Sequence, residues 1–194
     1  MVPFSNMLPE KNQTSLLFIL TSAFWMAVAT FIGLLAATEL IAPDLTRGMG
    51  WIVFGRLRPM HVNLVLFGFV TPGLLGAAFY YLPRLLKTEL FSERLGMWTV
   101  AFWNLTVLAG GLTLSAGHSQ GREYAEFIWP VDLMVVAIFS MVLYNFVMTV
   151  KHRREKTLYV SVWYANAAII LTGLTFALGN VIWRPTSGAL TGIP

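Results

Sequence analysis

The stretch GRLRPMHVNLVLFGF, Gly55 to Phe69, sets two arginines and a histidine at the mouth of an apolar run that continues to about Leu82. If Pro59 opens a helix, His61 falls within about one turn of its start. A histidine placed there has two uses. Its ring can hydrogen-bond to a neighbouring helix, or it can ligate haem iron on one face of the macrocycle. Arg56 and Arg58 have three: reaching lipid headgroups, pairing with Glu123 and Glu126, or meeting a buried anion such as the propionates of a haem. Gly68 and Gly76 follow on roughly the face of His61. Their missing side chains either make room for a flat cofactor or let two helices pack closely.

A second polar stretch is GHSQGREYAEFIWPVD, Gly117 to Asp132. Oxygen ligands grouped on such a loop can hold Ca²⁺, although Glu123 and Glu126 are too few to specify it. Tyr124 and Trp129 suit interfacial anchoring, and Asp132 suits the positive end of the helix that Trp129-Pro130 begins. His118 in this loop and His152 in a later basic stretch read as solvated. Asn63, Asn104, Asn145, Asn166 and Asn180 read as hydrogen-bonding groups within a bundle, with a polar proton route as the weaker option. No pair of histidines has the spacing of a transition-metal site, and no phosphate loop, hydrolase elbow or zinc-protease signature is present. The chain has no cysteine, which excludes disulfides, thiolate ligands and a c-type haem attachment motif.

The elements that must position these residues follow from composition. Of 194 residues, 57% are hydrophobic and only 11% charged, with a mean hydropathy of +0.69, so the solvent is a bilayer. The net charge of +4 clusters beside apolar runs and suits lipid headgroups better than nucleic acid. Five segments reach the roughly 20 residues that a span needs: Leu17 to Ala42, Met60 to Leu82, Leu95 to Ser115, Val131 to Val150 and Ser161 to Val181. All are expected to be helices, because backbone amides in lipid must be satisfied internally. The fold class is therefore an all-α, polytopic transmembrane bundle of five spans. No internal repeat and no secretory signal with a small-residue cleavage site is legible.

The basic run KHRREK, Lys151 to Lys156, marks a cytoplasmic loop. Counting from it puts Arg84, Lys87 and Arg94 on the same side, with Lys11 and a cytoplasmic segment 1–16 before a transmembrane region 17–184. Arg56, Arg58, Arg122, Glu123, Glu126, Arg184 and a tail 185–194 then face outward.

GRLRPMHVNLVLFGF, GREYAEFIWPVD and SVWYANAAIILT, in this order and spacing, resemble the catalytic subunit I of cbb3-type cytochrome c oxidases, the C-family of haem-copper oxidases. The resemblance runs from about Gly50 to the end of the chain. It implies the first five helices of a bundle of about a dozen, in the bacterial inner membrane. Such subunits hold a low-spin haem b, a high-spin haem b3 and a copper, reduce O2 with electrons from cytochrome c-type subunits, and pump protons. By this resemblance His61 is an axial ligand of the low-spin haem b. Arg56 and Arg58 lie in the propionate region, and Glu126 matches a glutamate near a calcium ion.

The second haem b ligand, the haem b3 ligand, the copper histidines and the active-site tyrosine come from later helices in the family. Partners are thus expected to include the remaining subunit I helices, cytochrome c-type subunits and membrane lipid. The PTSGALTGIP tail resembles the outer loop before helix six, so the sequence reads as a partial one or as a separately encoded part. The large subunit of a nitric oxide reductase shares the arginine, histidine and asparagine pattern and is the nearest alternative, although EYAE followed by WP favours the oxidase. A non-catalytic haem-binding or structural membrane protein is the alternative from another class.

Overall fold

The computed structural model describes residues 12–43, 49–120 and 124–180. Five long helices account for nearly all of it: α1 (Gln13–Ile41), α2 (Phe54–Leu85), α3 (Glu93–Ser115), α4 (Trp129–Lys151) and α5 (Val160–Asn180). Each is long and apolar enough to cross a bilayer, as the hydropathy pattern requires. Lys11, Arg122, Glu123, Arg184 and the tail 185–194 lie outside the described residues.

The start of α2 departs from expectation. Pro59 does not open the helix but lies inside it, and the first residue is Phe54, after the extended Val53. The extra turns are too polar for an apolar window, yet they have partners. The Phe54 amide donates to Glu39 Oε2 of α1 at 3.2 Å, and the Arg56 side chain bonds the end of α3.

α2 is also not uniform. It is α-helical over Phe54–Asn63, π-helical over Leu64–Val70 and α-helical again over Thr71–Leu85. In the widened part, the Thr71 amide donates to the Leu66 carbonyl, five residues back.

Successive helices run antiparallel, and α1 lies along the length of α2. The seam is built on glycines. A Cβ on Gly33 would overlap the His61 ring, one on Gly68 would meet Trp25, one on Gly73 would meet Ser22, and one on Gly76 would press on Ile19 and its backbone. Gly68 and Gly76 therefore serve close helix packing, with no space left over for a cofactor. This is how membrane helices gain dispersion contact when burial from water offers no drive.

The aromatic core behind the seam stacks Phe18 on Phe79 and sets Trp103 edge-on to Phe18 and Phe139. α5 packs mainly on α4 and turns Trp163, Tyr164, Leu171, Leu174 and Leu178 outward.

At the inner end, three polar clasps fix the helices. Glu93, in the first turn of α3, accepts the Asn12 and Thr14 amides at 2.9 and 3.1 Å, so it satisfies two of the backbone donors at the start of α1. Asn145 of α4 matches the peptide of Ser92 with both ends of its amide. Lys87 and Glu155 form an ion pair of 2.6 Å, and the Arg154 and Glu155 amides both donate to the Leu86 carbonyl. The two basic inner loops therefore sit at one end of the bundle, as the charge pattern predicts. The pairing holds the Lys87 ammonium above the usual lysine range and the Glu155 carboxyl below the usual carboxylate range, each chiefly through the hydrogen bond to the other.

Candidate functional site

His61 sits about two turns into α2, deeper than a helix opening at Pro59 would put it. Its Nδ1 lies 2.8 Å from the Ala29 carbonyl oxygen of α1. A carbonyl can only accept, so in the neutral ring the proton is on Nδ1 and Nε2 keeps its lone pair. Gly33, one turn along α1, supplies the hollow: a Cβ there would stand 2.6 Å from Cε1 and 2.7 Å from Nδ1. The ring is half-buried. A ring held by Nδ1, with Nε2 left as an acceptor, is the arrangement by which ligating histidines are oriented toward a metal.

The two arginines separate. Arg58, three residues before His61, is turned about 60° from it and shares its face of α2, whereas Arg56 is turned about 140° away. Arg58 is exposed. The Arg56 Nη1 donates to the Ser115 carbonyl at 3.0 Å, at the negative end of α3, and its guanidinium lies against Gly117. Gly117 has φ +91°, and the His118 amide returns to the Thr113 carbonyl, closing α3 in the glycine-dependent way. Arg56 is thus an anchor between α2 and α3.

Glu126 is buried, at 6% exposure, on the outer loop. Its Oε2 accepts from the Asn63 amide at 3.0 Å, and the same Asn63 nitrogen donates to the Pro59 carbonyl at 2.8 Å. Gln120 shapes this loop. Its backbone amide donates to the Glu126 carbonyl, and its side chain donates to the Phe127 carbonyl and to Asp132 in the first turn of α4.

The structure therefore joins His61 to α1, Arg56 to α3 and Glu126 to Asn63, all at the outer end. His118 is exposed beside them, while His152 stacks on Phe91 at the inner end. Among the described residues no group of three or more histidines or carboxylates is placed to hold a metal ion. Ala29, Gly33 and Gln120 had no signal in the sequence as site residues; only a small residue at Gly33 in an apolar run hinted at a close approach.

Fold and site together define a polytopic membrane protein whose second helix presents one tautomer-fixed histidine near the outer face. The sequence profile described as Cytochrome C and Quinol oxidase polypeptide I matches residues 13–188, and the chain belongs to that family. It is similar to the Cbb3-type cytochrome c oxidase subunit CcoN1 of Stutzerimonas stutzeri, with 30% identity over 84% of this chain and 35% of that protein. It is 31% identical to cytochrome c oxidase subunit 1 of Rhodobacter capsulatus, over 84% of this chain and 31% of that protein. A cytochrome c oxidase subunit 1 homolog of Azorhizobium caulinodans is 32% identical over 95% of this chain and 32% of its own length. The chain spans about a third of the length of these relatives. With five spans and bacterial relatives, it is a multi-pass protein of the bacterial inner membrane.

Proposed function

We propose that this chain forms the first five helices of the catalytic subunit of a respiratory terminal oxidase of the cbb3 type, and that His61 is one axial ligand of its low-spin haem b. The ligand role is carried by one observation, the 2.8 Å bond from His61 Nδ1 to the Ala29 carbonyl, which commits Nε2 to an acceptor role, and the oxidase class is supported by the similarity to the cbb3-type subunit. When bound, haem b supplies one-electron transfer between a cytochrome c donor and the centre where O2 is reduced.

The chain's own residues hold and tune that group. Ala29 and Gly33 orient the imidazole. Arg58, on the same face, offers its guanidinium to the propionates, and Arg56 adds positive charge from its anchor on α3. Glu126, steadied by Asn63, is one oxygen ligand for calcium; the other ligands come from elsewhere in the complex. The second haem b ligand, haem b3, copper and the donor cytochrome c-type subunits belong to the rest of the assembly. The membrane orientation is that of the basic loops: Arg84, Lys87 and Lys151 to Lys156 cytoplasmic, His61 and Glu126 toward the periplasm.

The test is a pyridine haemochrome spectrum and metal analysis of the complex purified through this chain, compared with His61→Ala. Two b-type haems and one copper in the parent, with loss of the low-spin signal in the variant, are expected. Two b-type haems with non-haem iron and no copper would assign the chain to a nitric oxide reductase. Absence of haem would leave a structural membrane protein.

A further inference from the structure

The widened segment of α2 has a sequence cause. Pro72 has no amide hydrogen, and in a regular α-helix its ring would collide with the Gly68 carbonyl, four residues back. The π-helical turn over Leu64–Val70 relieves that collision by enlarging the helix just before the proline. The relief has a cost. In the five-residue pattern the partner of the Phe67 carbonyl is the amide of residue 72, which proline lacks.

That acceptor is met from another helix. The Trp103 indole Nε1 of α3 donates to the Phe67 carbonyl at 2.7 Å. Two further hydroxyls support the same turn: Ser22 Oγ of α1 donates to the Phe69 carbonyl at 2.8 Å, and Thr71 Oγ1 donates to the Leu66 carbonyl at 2.7 Å. Trp103 is 2% exposed and Ser22 5%, so both of these donors are buried.

The segment lies between two separately anchored halves of α2. The outer half is held by His61 on Ala29, Asn63 on Glu126 and Arg56 on Ser115. The inner half is held by Ser15 Oγ on the Gly76 carbonyl at 2.7 Å and by the glycine contacts with α1. Relaxing the π turn toward α geometry changes the rotation of one half relative to the other. The His61 ring, fitted into the Gly33 hollow, has little room to absorb a rotation.

We infer that Trp103, with Ser22, is a positioning residue for His61: its indole N–H replaces the amide that Pro72 lacks, holds the π turn open, and so sets the rotation of α2 that aims the imidazole. This rests on the proposed haem ligation by His61. The experiment is electron paramagnetic resonance of the low-spin haem in the purified complex, for the parent, Trp103→Phe, Ser22→Ala, Phe139→Leu and His61→Ala. Trp103→Phe keeps an aromatic ring against Phe18 and Phe139 but removes the donor.

Trp103→Phe is expected to retain haem and shift the low-spin resonance, Ser22→Ala to shift it in the same sense and less. Phe139→Leu, which loosens packing on Trp103 without touching the donor, is expected to lower thermal stability and leave the resonance in place. If Trp103→Phe does not assemble, Ser22→Ala decides. An unshifted resonance in the donor variants, or an equal shift in Phe139→Leu, overturns the inference while His61→Ala still abolishes the signal. A low-spin signal that survives His61→Ala overturns the ligation reading instead.

Discussion

His61 and Gly33 face each other across the α1–α2 seam so closely that the glycine hydrogen stands where any other residue would carry a Cβ overlapping the imidazole, 2.6 Å from Cε1. The Ala29 carbonyl fixes the ring from the same helix, so the imidazole cannot retreat without losing its 2.8 Å bond. Gly33→Ala is therefore expected to displace the ring. Overpacking of this kind costs about 1–3 kcal/mol, or about 5- to 150-fold in an equilibrium. The measurement is the low-spin haem to protein ratio of the complex: a lowered ratio is expected, and full occupancy would show that the seam yields easily.

The Asn63 amide is the partner that the structure gives to a buried carboxylate oxygen of Glu126. Asn63→Leu keeps the branched shape, though not the volume, and leaves that oxygen without its donor, a loss of about 1–3 kcal/mol or more for a charged acceptor. Asn63→Asp sets a second carboxylate beside the first and is expected to be the less stable of the two at neutral pH. Thermal unfolding of the purified complex ranks them; a leucine variant as stable as the parent would mean that Glu126 finds another partner.

How much of this was legible in the sequence differs by level. The five spans were, because a bilayer demands about 20 apolar residues per helix and the chain offers five such runs. The start of α2 was not, since Arg56 and Arg58 continue the helix through a polar zone with support from Glu39 and Ser115, residues distant in sequence. His61 stood out as a lone imidazole in an apolar run, but its tautomer depends on a backbone carbonyl, which no residue type announces. Pro72 was not read from the sequence as an irregularity of the span, and its consequence needs Trp103 on a different helix. The difference between Arg56 and Arg58 follows from helical phase alone once the helix is known to include both.

Gly117 combines a positive φ with the approach of Arg56, whose nearest guanidinium nitrogen would lie 2.9 Å from an added Cβ. Gly117→Ala pays for both, with roughly 1–3 kcal/mol from the backbone alone. In an Arg56→Met background the steric part should disappear, so a double-mutant cycle on thermal stability is expected to show coupling. Strict additivity would mean that the guanidinium swings clear and does not anchor α2 to α3.

The inner loops offer a titration that tests the Lys87–Glu155 pair. Glu155 has its pKa lowered in the folded protein, so its contribution is present above the ordinary carboxylate range and is lost as acid protonates it. Lys87 has its pKa raised, so its contribution is present below the ordinary lysine range and is lost as base removes the proton. The docked loops are thus expected to be best held across the neutral range and to loosen at both extremes, less markedly in high salt because the pair is solvated. Hydrogen exchange at the Arg154 and Glu155 amides, both bonded to the Leu86 carbonyl, reads this locally. The parent should lose protection in acid and in base, whereas Glu155→Gln should be weakly protected throughout with no acid step. An identical acid profile in parent and variant would mean that the Leu86 carbonyl alone holds the two loops together.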